Sequence, residues 1–133
     1  MNLRVAHSGV RMGQPEILSG IPTVTGNWVM RDMIGIARTI DLTFTGRMLD
    51  AKEAYEWGLI SRLVDQDKVM SASMELARDL AAKPPVAMRL NRQRIKEVTQ
   101  EGYEDAMQAG VRIQLEAYAT GEPQRMMEEF FAK

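Results

Sequence analysis

Leu3 and Val5, then Val10 and Met12, alternate with polar neighbours in two short runs separated by Ser8 and Gly9. A period of two marks a strand with one buried face, so the chain is expected to open as strand, turn and strand, with no obvious pairing partner nearby. Residues 17–26 scatter Gly20, Pro22 and Gly26 among threonines, which reads as a loop ending where Asn27 opens a helix. Trp28, Val29, Met33 and Ile34 form the apolar side of that helix, and Gly35 breaks it. A second short helix is expected over residues 36–40, running into a strand or extended segment at 42–45 that Gly46 closes. Asp50 is the clearest helix start. Its side chain is placed to accept from the amide of Glu53 while Glu53 reaches back, a capping box, and Gly58 ends the helix after two turns.

Residues 59–64 read as a compact strand, and Asp65-Gln66-Asp67 turns it into a helix to about residue 82, with Val69, Ser73, Leu76, Ala77 and Leu80 at helical spacing. Pro84-Pro85 stops it. Pro85 fits the first turn of the next helix, whose apolar stripe of Ala87, Leu90, Ile95 and Val98 runs to about residue 100. Tyr103, Ala106, Met107, Gly110, Ile113, Ala117 and Tyr118 then repeat the spacing of one helix face, with Gly110 allowing close helix packing. After Gly121-Glu122-Pro123, the residues Met126, Met127, Phe130 and Phe131 give an apolar face to a segment too short to be stable alone, so it is expected to dock. No repeat, low-complexity tract or linker interrupts the chain. It reads as one structural unit that passes from α/β to all-helical near residue 66.

Composition narrows the function. The 133 residues fit one modest domain, which at this size buries roughly two thirds of its extended surface. Seventeen basic against eighteen acidic residues give a net charge of -1, without the footprint of a nucleic-acid binder. The absence of cysteine excludes disulfides, thiolate chemistry and sulfur-based zinc sites, and suits a reducing cytoplasm. Residues 1–7 are too short and polar for a signal peptide, and no apolar run approaches the ~20 residues of a membrane span. A soluble cytoplasmic protein is expected, with no nucleic-acid or membrane partner. The eleven methionines read as flexible filling of helix interfaces. His7, the only histidine, has no motif partner for a triad or a metal cluster and reads as a strand-end residue. Gly20 and Gly26 belong to no nucleotide-binding pattern. Arg89, Arg92, Arg94 and Lys96 share one helix; they read first as a solvated face and second as a surface for anionic groups.

The run Met12-Gly13-Gln14-Pro15-Glu16-Ile17, followed by Gly20-Ile21-Pro22, sets one carboxylate beside two turns. Glu16 is the candidate acid/base; from the residues alone, a solvated or loop-capping carboxylate is the simpler reading. Downstream come Thr45-Gly46-Arg47, Asp50-Ala51-Lys52-Glu53-Ala54 and Trp57-Gly58-Leu59-Ile60. In this order and spacing, the chain resembles, over almost its whole length, the second half of enoyl-CoA hydratase/isomerase (crotonase) proteins. The resemblance implies an α/β chain with a partial crotonase-like fold, a few short strands followed by a mainly helical C-terminal region. Residues 1–65 would form the C-terminal part of the spiral core and residues 66–133 a helical oligomerisation region.

It also implies fatty-acid chemistry on an acyl-CoA thioester, hydration or double-bond isomerisation, with Glu16 moving a proton at the acyl carbons. A homotrimer or hexamer is implied, with no cofactor beyond the coenzyme A of the substrate. Phe130-Phe131-Ala132-Lys133 resembles the family's C-terminal Phe-x-x-Lys, so Phe130 and Lys133 are implied to help hold the adenine and phosphate end of CoA. The loop departs from the family's Gly-x-Ile-Pro-Gly-Ala-Gly-Gly: Gly20-Ile21-Pro22-Thr23-Val24-Thr25-Gly26 is shorter and has lost two glycines. Trp28 and Met30 stand where smaller or polar residues are usual, which implies a reshaped acyl pocket with Trp28 as a substrate-binding residue; ordinary core packing is its alternative. The family's second glutamate and both oxyanion-hole amides lie upstream of anything matched here. The chain is therefore expected to lack the N-terminal CoA and oxyanion half and to be inactive alone, the alternative being a non-catalytic oligomerisation module. A helical protein-interaction domain would leave Gly-Gln-Pro-Glu unexplained.

Overall fold

The computed structural model describes residues 3–132, and their contacts gather into two compact units, each drawn from two stretches of chain. The first takes the residues up to Met12 together with Leu49–Glu101; the second takes Gly13–Met48 and the chain from Gly102 onward. The grouping follows contact rather than position, and so differs from a division at residue 66.

In the first unit, β1 (Val5–Ala6) pairs in parallel with β4 (Arg62–Leu63), Val5 opposite Arg62 and Ala6 opposite Leu63. The opening strand thus finds a partner that local sequence does not reveal. The pairing is extended by the amides of Ser61 and Arg62 donating to the Arg4 carbonyl (2.9 and 3.1 Å) and by that of Val64 donating to the Ala6 carbonyl (2.9 Å). Only two residues of the expected strand over 59–64 keep ladder geometry, because Leu59 and Ile60 turn their amides back to the Ala54 carbonyl at 2.9 and 3.2 Å. The short α3 (Ala51–Glu56) buries its two alanines, Ala51 and Ala54, in a core shared with Leu49, Leu59, Ile60 and Leu76. Leu76 comes from α4 (Val69–Ala81), which follows a 3-10 turn at Gln66–Lys68 and packs on β1.

The Asp50 cap is formed: its Oδ1 accepts from the Glu53 amide at 2.8 Å. Asp50→Ala is expected to lower stability by about 1 kcal/mol, since an unpaired amide of the first turn then relies on water. A denaturant midpoint unchanged within error would show that the cap contributes nothing.

The second unit is helical. A 3-10 turn at Pro15–Ser19 leads to α1 (Thr25–Ile34) and α2 (Ile36–Thr45), which pack on each other, and α2 also packs on the turn. The turn takes up the first residues of the loop expected over 17–26, and α1 starts two residues before Asn27. Gly35, at φ 82°, makes the corner between the helices. The segment 42–45, expected to be extended, is instead the last turn of α2. Packing overrides its β-favouring residues, since Leu42 is 0% exposed, and the Thr39 and Thr43 hydroxyls are satisfied within the helix by donating to the Gly35 and Thr39 carbonyls at 2.9 and 2.8 Å. Gly46 then closes α2 in the left-handed conformation, its amide donating to the Leu42 carbonyl at 2.9 Å.

The chain passes between units through β2 (Met12–Gly13), which pairs with β3 (Met48–Leu49). A methyl on Gly13 would lie 2.7 Å from the Arg47 carbonyl oxygen, so only glycine fits this approach. Residues 85–119 form one helix, α5 (Pro85–Ala119), rather than two segments meeting near residue 100. Gly102 does not break it, because helical glycine costs only about 1 kcal/mol and here makes room. The Trp28 indole occupies that room: a methyl on Gly102 would lie 2.5 Å from its Nε1. Gly110 is different, with its nearest neighbour, a Thr25 methyl, 3.8 Å from such a carbon; this is ordinary contact and does not require glycine. The last helix, α6 (Glu122–Phe131), docks through buried Pro123 and through Met126 beside Gly20, whereas Phe130 and Phe131 stay 73% and 78% exposed.

Candidate active site

Pro15 fits the first position of its 3-10 turn, where a missing amide costs nothing, and thereby fixes the residue that follows. That residue, Glu16, is half-buried. The chain then folds back on it: the Ile21 amide donates to the Glu16 carbonyl at 3.1 Å, and the Thr23 hydroxyl donates to Glu16 Oε2 at 3.0 Å. Two amide side chains pin this loop. Gln114 Nε2 of α5 donates to the Pro22 carbonyl at 2.9 Å, and Asn27 Nδ2 of α1 donates to the Thr23 carbonyl at 2.6 Å. Gly26 lies against the end of the Gln14 side chain and the Thr23 methyl.

Around these groups opens a cleft of about 610 Å³, lined among others by Gln14, Glu16, Thr23, Val29, Met107 and Gln114. Pro22 and Thr23 also line a cavity of about 390 Å³ with Ile17, Thr43, Phe44 and Glu122. The Thr23 bond engages one carboxylate oxygen of Glu16, Oε2, and the Glu16 side chain lines this cleft. The Gln114 Oε1 atom is buried without a hydrogen-bond partner.

The other residues singled out from the sequence do not gather here. Trp28 lines a separate cavity of about 300 Å³, with Arg31, Thr39 and Asp105. Its ring meets Tyr103 edge-on, at 5.8 Å and 65°. Phe130 packs edge-on against Phe131, with centroids 5.5 Å apart. Lys133 lies outside the described residues. His7 closes the first turn by accepting from the Gly9 amide at Nδ1 (3.1 Å). Among the described residues, no group of three His, Cys, Asp or Glu is placed to hold a metal, and no helix is long and apolar enough to cross a membrane.

Sequence reasoning missed Thr23 and Gln114. Thr23 was visible only as a departure from a glycine-rich loop. Gln114 carries no local signal, since its partner Pro22 lies 92 residues away.

A proline-initiated turn presenting a carboxylate, set among short strands and long helices, belongs to a chain of crotonase-like fold. Residues 2–133 match the family model for enoyl-CoA hydratase/isomerase, and the chain belongs to that family. It is similar to the short-chain-enoyl-CoA hydratase of Clostridium acetobutylicum, at 29% identity over 133 residues, covering 99% of this chain and 51% of that protein. It is also similar to a probable enoyl-CoA hydratase of Rhizobium meliloti, at 33% identity over 135 residues, covering 97% of this chain and 51% of that protein. Among solved structures, an enoyl-CoA hydratase/isomerase from Pseudoalteromonas atlantica superposes with a TM-score of 0.91 at 26% identity, over 98% of this chain and 53% of that one. The chain spans about half the length of the curated relatives it matches.

Proposed function

We propose that the cleft serves acyl-CoA thioester chemistry, hydration or double-bond isomerisation, with Glu16 exchanging a proton at the acyl carbons. The observation that carries this is the Glu16 carboxylate, presented by the Gln-Pro-Glu turn and oriented by Thr23 toward an open cleft. The names of the similar proteins, hydratases and an isomerase of CoA thioesters, support the substrate class. No cofactor beyond the coenzyme A of the substrate is called for. Phe130, with an accessible ring, and Lys133 would hold the adenine and phosphate end, and Trp28 would shape the acyl pocket from the neighbouring cavity.

Proton removal next to a thioester places charge on the carbonyl oxygen, which needs hydrogen-bond donors; losing one such donor costs about 100-fold to 1000-fold in rate. The resemblance implies that the family's donors and second glutamate lie in the part of the relatives that this chain does not span. Within this chain, the backbone amides of the loop at the start of α1 would be the substitutes. Only trace hydration of crotonyl-CoA is therefore expected from this chain alone, followed as loss of the enoyl-thioester absorbance. Rapid turnover would overturn the assignment of the donors to residues outside these 133.

The second reading, a non-catalytic assembly module, rests on the apolar side chains that α4 to α6 leave exposed, such as Met70, Val86 and Leu115. Both readings place these helices in a homotrimer or larger assembly. Light scattering at high micromolar concentration should report an oligomer; a clean monomer would remove this part of the reading.

A further inference from the structure

We propose that the turn between α4 and α5 is a binding site for a small phosphate-bearing anion with an apolar body. It uses none of the residues assigned to the thioester chemistry. The site is an open cleft of about 530 Å³ within the first unit, of a size suited to a small molecule. It is lined by the apolar Leu80 and Met88 and by Lys83, Arg89, Arg92 and Lys96. The last three follow one another at helical spacing along the first turns of α5, so they share a face.

The charges of Arg89, Arg92 and Lys96 are poorly compensated, whereas that of Lys83 is paired. Lys83 Nζ bonds Asp79 Oδ1 at 2.7 Å, and this hydrogen bond and charge hold the Asp79 carboxyl below the usual carboxylate range. Among the described residues, Arg89 has the amide oxygen of Gln93 as its hydrogen-bond partner, at 3.4 Å. Among the described residues, neither Arg92 nor Lys96 has a carboxylate within ion-pairing distance. Arg94, outside the cleft, is paired with Glu97 at 3.3 Å.

This arrangement is locally unfavourable without a ligand. Cations three and four apart repel on a helix face, and a helix N-terminus is already the positive end of the backbone dipole. The first turn of α5 has no acidic residue to offset it, although the chain carries eighteen acids. A doubly charged phosphate group would relieve the repulsion and pair with the guanidinium fork of Arg92, while Leu80 and Met88 cover its apolar body.

The test is calorimetric titration of the full chain with inorganic pyrophosphate at low and at physiological salt. A single saturable event that weakens with salt is expected. The double variant Arg92→Gln/Lys96→Gln should weaken it by about tenfold or more, with an unchanged circular dichroism spectrum, while Arg94→Gln should leave it intact. A parallel arm uses phosphatidylcholine vesicles carrying phosphatidic acid, where no binding is expected. Absence of saturable pyrophosphate binding at millimolar concentration overturns the proposal, as does an equal loss in Arg94→Gln. Vesicle binding that needs Arg92 and Lys96 but is not displaced by pyrophosphate overturns it in favour of a lipid surface.

Discussion

Replacing Glu16 by glutamine is expected to lower any proton exchange at the α-carbon of an acyl-CoA by at least about 100-fold, the lower end of what a positioned acid/base contributes. The substitution is close to isosteric. The Thr23 hydroxyl, which donates to Glu16 Oε2 at 3.0 Å, can donate to the glutamine oxygen instead, so the loop and the cleft should persist. What is lost is the capacity to take up and return a proton. Deuterium uptake into butyryl-CoA in heavy water, read by mass spectrometry over hours, is sensitive enough for a slow chain. Uptake in Glu16→Gln within a few-fold of the parent would assign the chemistry to another group.

Leu42→Ala is expected to destabilise the second unit by about 2–5 kcal/mol, the range for truncating a buried leucine. Leu42 is 0% exposed on α2, between the buried Thr39 and Thr43, and its carbonyl receives the Gly46 amide that ends the helix. A domain retains only about 5–15 kcal/mol in total, so this single cavity removes a large share. The effect reaches the site as well. The 3-10 turn that presents Glu16 packs on α2, with Leu18 so close to Gly46 that an added methyl there would lie 2.7 Å from its Cγ. Urea unfolding measures the loss, and a shift below about 1 kcal/mol would mean that the surroundings collapse into the space.

Both variants bear on what could be read before the fold was known. The position of Glu16 in its turn was legible because proline dictates backbone geometry at once, whatever surrounds it. The hydrogen bond that orients it was not, because Thr23 is brought back by a loop whose pins, Asn27 and Gln114, belong to two different helices. Trp28 shows the same limit. A large aromatic just after an altered loop suggests a pocket wall, yet where its ring rests is decided by Gly102 and Tyr103, some 75 residues later in the chain.

What the sequence by itself determined are the features set by a side chain acting on its own backbone neighbours. The Asp50 cap, the stops at Gly35, Gly46 and Gly58, and the start of α5 at Pro85 all form within one turn of the residue responsible, where energy and chain entropy are settled locally. Tertiary structure decided the rest: the parallel pairing of Val5 with Arg62, the helical ending of α2 despite its β-favouring residues, and the continuity of α5 through Gly102. Each of these turns on which distant surface covers the segment. Burial of apolar area, worth about 25 cal/mol per Å², then outweighs propensities of a few tenths of a kcal/mol per residue, and no local pattern encodes the partner.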